Sequence, residues 1–259
     1  MNAPVSITSR DNPLLVRLRK LARDPGAYRK LGAVWLEGEH LCQALRTRGG
    51  VAVQAVLSES AWQRPALRTL AEWAPRATCV PDSLFAGISS LESPTGIGFV
   101  IDTPPSQGVQ VGVASVVLDR LQDAGNVGSV LRSASALGFK QVLALEGTAA
   151  LWSPKVLRAG MGAHFALRLT EGLAEVELEA LKLPLLAASS HAQATLDDVA
   201  LPFPCAWVFG HEGQGVGAAL MQRCTHSFRI PQPGGEESLN VAAAAAICLY
   251  ATRRAGGGR

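Results

Sequence analysis

The stretch VASVVLDRLQDAGNVGSVLRSASAL, residues 113–137, decides the fold. Val113 to Leu118 is a short apolar run rich in β-branched residues, the composition of a strand covered on both faces. Polar and small residues interrupt it from Asp119 to Gly125. From Asn126 the period changes: Val127, Val130, Leu131, Ala134 and Leu137 fall on one helical face. Asn126 is placed to cap that helix. A strand that feeds directly into an amphipathic helix is the repeating unit of an α/β protein with a parallel sheet. Such sheets take ligands in a crevice outside the carboxyl ends of their strands.

The same alternation continues downstream. The pattern predicts strands over 141–145, 166–169, 185–188, 205–209 and 227–230, and a helix opening at Ser153-Pro154, with Ser as cap and Pro in the first helical position. A final alanine-rich helix runs from Asn240 to Arg254, ahead of a glycine tail at 256–258. The expected sheet is mostly parallel, with helices on both faces. Upstream, Leu14, Leu15, Leu18 and Leu21 predict a helix over 12–23. Strands are expected over 33–36, 51–57, 77–80 and 96–101, with helices over 39–46 and 61–73. The run Thr103-Pro104-Pro105-Ser106-Gln107-Gly108 has linker composition. The chain therefore divides into a smaller α/β domain at 1–103, a linker at 104–110 and a larger domain at 111–259.

Composition narrows the function. The apolar fraction of 48% supports a packed core and argues against a disordered chain. No stretch is apolar enough for a bilayer span, and Met1 to Arg10 lacks the apolar segment of a secretory signal. Cys42, Cys79, Cys205, Cys224 and Cys248 are scattered and form no CxxC pair, so buried reduced thiols in a cytoplasmic protein are expected, with neither a disulfide framework nor a zinc site. The net charge of +3 is unevenly spread. Residues 1–50 hold nine Lys and Arg against four Asp and Glu, a surplus of five, and the remainder is slightly negative. A basic amino-terminal lobe suits a polyanionic partner, although a solvated helix face has the same composition.

Three segments carry candidate chemistry. The first is Leu118-Asp119, where Asp119 ends a strand, followed by Asn126-Val127-Gly128 and then Arg132, whose small neighbours Ser129, Ser133 and Ala136 leave its guanidinium accessible. The second, Phe209-Gly210-His211-Glu212-Gly213-Gln214-Gly215, is glycine-dense after an apolar strand. There Gly210 can offer bare backbone to a ligand, and Glu212 is the one carboxylate of the turn. The glycine order is not GxGxxG, and no strand-borne acid follows at the distance a dinucleotide site needs, which counts against a nucleotide-dependent oxidoreductase. His211 has no second histidine at metal spacing and is given no role. The third is Arg229-Ile230-Pro231, then Glu237-Ser238-Leu239-Asn240-Val241 entering a helix of small residues. By themselves Ser238 and Asn240 fit a well-capped, tightly packed helix equally well.

Taken in order, these segments resemble the SpoU, or TrmH, family of RNA 2′-O-ribose methyltransferases, across roughly 113–254. Motif one is similar to its Asn-x-Gly and Arg, motif two to its Gly-x-Glu-Gly-x-Gly, and motif three to its Ile-Pro and Ser-Leu-Asn-Val. Arg158-Ala159-Gly160-Met161-Gly162-Ala163 looks like a further family segment. Upstream, residues 7–14 and Trp35-Leu36-Glu37-Gly38 look like the L30e-like substrate-binding domain found more often in rRNA-directed members. The resemblance implies a SPOUT α/β fold with a deep trefoil knot and a homodimer. It implies an S-adenosylmethionine donor held by backbone at Gly210, Ile230 and Leu239, with no metal. Asn126, Arg132, Glu212, Ser238 and Asn240 would form the catalytic neighbourhood. Arg10, Arg17, Lys20 and Arg29 would dock RNA, with rRNA favoured over tRNA. The alternatives are a tRNA ribose methyltransferase and a non-catalytic RNA-binding ribosome-assembly factor of the same fold. One departure from the family pattern is mild: Ala242 and Ala243 stand where relatives often carry serine.

Overall fold

The structure, a computed structural model, describes residues 4–197, 200–235 and 238–255. Glu237 of the third motif and the 256–258 tail lie outside the described residues. The chain forms two compact units. One joins Met1–Pro105 to Trp152–Phe165, and the other joins Ser106–Leu151 to Ala166–Arg259. Residues 152–165, placed by the sequence reading with the carboxyl-terminal half, thus pack with the amino-terminal unit.

That first unit contains β1 (Val5–Ser6), α1 (Pro13–Arg23), α2 (Ala27–Leu31), β2 (Ala33–Glu37), α3 (Glu39–Thr47) and β3 (Gln54–Ser58). It continues with α4 (Glu59–Trp62), α5 (Pro65–Ala71), β4 (Ala77–Val80), α6 (Asp82–Ile88) and β5 (Ile97–Asp102). Its sheet runs β1-β4-β3-β5-β2, parallel where β4 meets β1 and β3, antiparallel where β5 meets β3 and β2. Asn12 caps α1, its side-chain oxygen accepting the Leu14 amide at 2.9 Å. The single helix expected over 61–73 is two. Pro65 has no amide hydrogen for a helical bond and holds Arg64 before it in an extended conformation, so α4 stops and α5 starts afresh. β3 begins at Gln54 rather than Val51, and α6 is a helix that residue spacing alone does not announce.

The second unit holds β6 (Ser115–Asp119), α7 (Ala124–Ala136) and β7 (Gln141–Leu145), after which α8 (Pro154–Gly160) belongs to the first unit. It resumes with β8 (Arg168–Leu173), β9 (Leu185–Ala188), β10 (Ala206–Gly210), α9 (Ala218–Arg223), β11 (His226–Phe228) and α10 (Val241–Ala255). Ser153 occupies the cap position of α8 without bonding through its hydroxyl. The six strands are all parallel, in the order β11-β9-β10-β6-β7-β8. Sequence order reverses beside β6: the chain steps to β7 and β8 on one side, and β10 returns to the other. That is a topological switch point, where the loops after neighbouring strands diverge and leave a crevice.

The inner strands β6, β7 and β10 are buried along their whole length, which explains their largely apolar sequences. Alternate residues serve opposite layers. Val117, Ala206 and Val208 join one cluster with Leu143, Leu178, Leu181 and Leu220. Trp207 is fully buried, stacks on Phe209 at 6.0 Å, and donates its indole N–H to Thr252 of α10 at 2.8 Å. α10 thereby packs on β10 and α7, bringing the third motif to the first.

Candidate active site

The carboxyl ends of β6 and β10 lie side by side, Asp119 in register with Gly210. Because the sheet is parallel, the segments after β6, β10 and β11 all leave from the same edge. These are the three motif segments.

Glu212 is their meeting point. Its carboxylate accepts the backbone amides of Gln122 at 3.1 Å and Asp123 at 3.0 Å, and the side-chain amide of Asn126 at 3.2 Å. Asn126 in turn accepts, through Oδ1, the side-chain amide of Asn240 at 3.0 Å. Asn240 caps α10, its Oδ1 taking the amides of Ala242 at 2.9 Å and Ala243 at 3.3 Å. The direction of this relay is fixed at both ends. A carboxylate only accepts, so Asn126 must turn its NH2 toward Glu212 and its oxygen toward Asn240, whose own oxygen is already engaged in capping. Partial burial pushes the Glu212 carboxyl up, but the Asp123, Gln122 and Asn126 donors outweigh it and hold the group below the ordinary glutamate value. Glu212 therefore stands charged at neutral pH and ties motif two to motif one.

Asn126 does not cap α7 as the sequence suggests. Asp123 does, accepting the Asn126 amide at 2.8 Å, and α7 begins at Ala124. Asn126 sits inside the first turn, and its side chain is released for the relay. The signal was in the sequence: Asp123 precedes Asn126 by the three residues that separate a capping side chain from the amide it takes.

Arg132 lies outside this cluster. Six residues beyond Asn126, it is displaced by roughly 9 Å along the helix axis and points to a different face. It is exposed, and its guanidinium makes no hydrogen bond to any described residue. Ser238 and Leu239 are exposed just before α10, and Ile230 is half-buried after β11. His211 has a local task, its Nδ1 accepting the Gly213 amide at 3.0 Å. Of the basic residues singled out, Arg10, Lys20 and Arg29 are exposed, Arg29 lying over the Tyr28 ring at 5.2 Å. Arg17 is partly engaged, donating to the Leu31 carbonyl at 2.8 Å. Arg158 lies in the last turn of α8 in the first unit and donates to the Ser90 carbonyl at 3.2 Å. The five cysteines are free thiols, and burial pushes Cys205 and Cys248 up to about 12. Among the described residues no group of His, Cys, Asp and Glu is arranged to hold a metal ion, and no helix is long and apolar enough to cross a membrane.

The edge also fits a group held mainly by backbone. The loop after β10 is closed on itself, the Gly215 amide donating to the His211 carbonyl at 2.8 Å. Between Ile230 and Leu239, the buried Gln232 Oε1 has no hydrogen-bond partner among the described residues, an acceptor that a ligand's N–H would satisfy.

An all-parallel sheet with a polar relay at its switch point is the architecture in which α/β proteins take ligands outside the carboxyl ends of their strands. Residues 114–250 match the model of the SpoU rRNA Methylase family, and the chain belongs to that family. An uncharacterized tRNA/rRNA methyltransferase of Synechocystis is 32% identical over 96% of this chain and 93% of its own length. The 23S rRNA (guanosine(2553)-2′-O)-methyltransferase RlmP of Bacillus subtilis is 28% identical over 86% of this chain and 90% of its own. The fold is that of the SpoU methyltransferase AviRb from Streptomyces viridochromogenes, solved in complex with AdoMet. That structure superposes with a TM-score of 0.86 over 96% of this chain and 100% of that one, at 22% identity.

Proposed function

We infer that this protein is an S-adenosylmethionine-dependent RNA 2′-O-ribose methyltransferase acting on ribosomal RNA. The observation that carries the reading is the Glu212–Asn126–Asn240 relay, which joins all three motif segments at the edge where such a sheet binds ligands. Family membership and the B. subtilis relative, named for 2′-O-methylation of 23S rRNA, support the reaction and the substrate class.

In this reading the backbone at Gly210, Ile230 and Leu239 holds the donor, beside the orphaned acceptor of Gln232. The donor's sulfonium supplies an already activated methyl group, so the protein needs chiefly to align the ribose 2′-oxygen with it. Positioning of this kind is worth about 7–11 kcal/mol in favourable cases. Arg132, exposed and uncommitted among the described residues, clamps an RNA phosphate and stabilises the developing alkoxide, while the proton leaves through phosphate or water. A guanidinium holds its proton too firmly to serve as the base itself. Asn126 orients the ribose side of the site, Glu212 fixes the two loops, and Ser238 and Asn240 order the entry to α10.

Residues 1–103 form the L30e-like RNA-docking domain, with Arg10, Arg17, Lys20 and Arg29 as phosphate contacts, and 111–259, apart from the 152–165 segment that packs with the first unit, form the methyltransferase domain with its knotted path. The protein acts as a cytoplasmic homodimer. α10 supports this by leaving Ile247 and Tyr250 exposed three residues apart on one face. The test is transfer of a labelled methyl group from S-adenosylmethionine to rRNA, with mapping of 2′-O-methyl sites. Arg132→Ala should abolish transfer while cofactor affinity is kept. Undiminished transfer by that variant removes Arg132 from the mechanism, and no transfer by the parent protein to any RNA removes the reading.

A further inference from the structure

A second carboxylate at the same edge works in the opposite direction from Glu212. Asp119, at the end of β6, is 2% exposed. Its Oδ2 accepts the backbone amide of Gly217 at 2.7 Å, so a residue of the β6 side holds the far end of the loop that leaves β10. Glu212 reaches the other way, from that loop to the amides of Gln122 and Asp123. The two loops are thus fastened twice, each by a carboxylate the other lacks.

Asp119 is itself aimed by Arg120. Consecutive strand residues normally point to opposite faces. Arg120 instead takes a left-handed backbone conformation, φ 58°, uncommon for a residue with a side chain. Its amide is held there by Thr148 Oγ1 at 3.1 Å, and the Thr148 hydroxyl donates to the Leu118 carbonyl at 2.9 Å. The turn folds the guanidinium back onto its neighbour: Nε meets Asp119 Oδ1 at 2.8 Å and Nη2 meets Oδ2 at 3.1 Å, while Nη1 reaches Gln214 in the loop at 3.4 Å. Backbone strain of this kind persists only where its surroundings impose it, and it clusters at functional sites.

We propose that Asp119 is a positioning residue for S-adenosylmethionine: by gripping the Gly217 amide it holds the Gly210–Gly217 loop in its cofactor-receptive shape, and Arg120 keeps the carboxylate on target. This rests on the reading of that loop as the cofactor cradle. Apart from the packing of Val216 against the core, the far end of the loop has no polar anchor of its own among the described residues. Gly217 precedes α9 with no side-chain cap of its own, and the internal bonds of the loop involve His211, Gly213 and Gly215 rather than Gly217.

Asp119→Asn tests the idea at nearly constant volume. The carboxylate accepts three N–H groups, whereas an amide offers one oxygen. With that oxygen toward Gly217, the NH2 faces the Arg120 guanidinium donor to donor; with it toward Arg120, the NH2 faces the Gly217 N–H. The expected result is a Kd for S-adenosylmethionine weakened about tenfold by calorimetry, with the KM for S-adenosylmethionine raised in parallel and kcat and the KM for RNA little changed. A purely architectural role would instead lower kcat through loss of active protein and leave KM alone. Arg120→Ala, at a partly exposed side chain, should shift the same two constants in the same direction by less. The double variant should be no worse than Asp119→Asn, because Arg120 acts through Asp119. A cofactor Kd equal to the parent's in folded Asp119→Asn overturns the proposal. Should that variant not fold, an unchanged Kd in Arg120→Ala overturns it equally. Failure of the parent protein to bind S-adenosylmethionine refutes the cradle reading itself, and this proposal with it.

Discussion

Gly210 is the residue on which the shape of the candidate site turns, and replacing it with alanine gives a sharp test. A Cβ added there would stand 2.1 Å from the Gly215 carbonyl carbon, 2.1 Å from the Val216 nitrogen and 2.3 Å from the Gly215 oxygen. All three are backbone atoms, so no rotamer change relieves the collision. The loop is moreover locked by the Gly215 amide on the His211 carbonyl. Ordinary contact needs the loop to retreat by roughly 1 Å, and forced displacement of packed backbone costs about 1–3 kcal/mol. For a chain of this size each kcal/mol lowers Tm by about 2–4 °C, so Gly210→Ala should melt between about 2 and 12 °C below the parent. Gly213→Ala is the matched control three residues on. Its added Cβ meets nothing nearer than the His211 ring at 3.9 Å, and the variant should stay within about 0.5 kcal/mol of the parent. Differential scanning calorimetry reads both. Titration with S-adenosylmethionine should show the same split, with affinity reduced at 210 and kept at 213. If the two variants melt and bind alike, the claim that the chain returns across bare backbone at Gly210 is wrong.

Other consequences follow from the same geometry. Thr252→Val preserves shape but strands the buried Trp207 indole N–H, which should cost about 1–3 kcal/mol in guanidinium denaturation; a neutral result would mean α10 is not fastened to β10 by this bond. The Glu212 carboxyl is held below its ordinary value of 4.5, so its contribution is complete above that value and lost as pH falls through the depressed one. The stability gap between parent and Glu212→Gln should accordingly be widest near neutrality and close on acidification, and a gap independent of pH would deny the charged clasp. Lys20→Ala and Arg10→Ala should each lessen the salt dependence of RNA affinity by about one counterion without altering cofactor binding. Arg17→Ala should also destabilise the first unit, because that guanidinium holds the Leu31 carbonyl.

Much of the fold was legible in the chain. The apolar runs at 113–118, 141–145 and 205–209 mark β6, β7 and β10, strands covered on both faces, and α7 and α10 follow from their spacing and small residues. A strand between two layers buries every side chain, and a helix between sheet and solvent buries one stripe, so each leaves its period in the sequence. The break at Pro65 and the cap at Asp123 were written there too, each in one residue outweighed by its neighbours. The ordered motifs likewise marked the segments that meet at the carboxyl edge, since glycines and amides beside strand ends are local properties.

What no local reading supplies is the partner of each polar atom. Asp119 and Gly217 are 98 residues apart, and Asn126 and Asn240 are 114 apart. Only the insertion of β10 between β9 and β6 makes Asp119 the neighbour of the glycine loop, and only the docking of α10 on α7 brings the two asparagines within a hydrogen bond. The packing of residues 152–165 with the first unit is likewise a tertiary arrangement that no local pattern announces. A residue's period reports which layer buries it, whereas a hydrogen bond between distant segments depends on strand order, which the chain specifies only once the whole sheet has assembled.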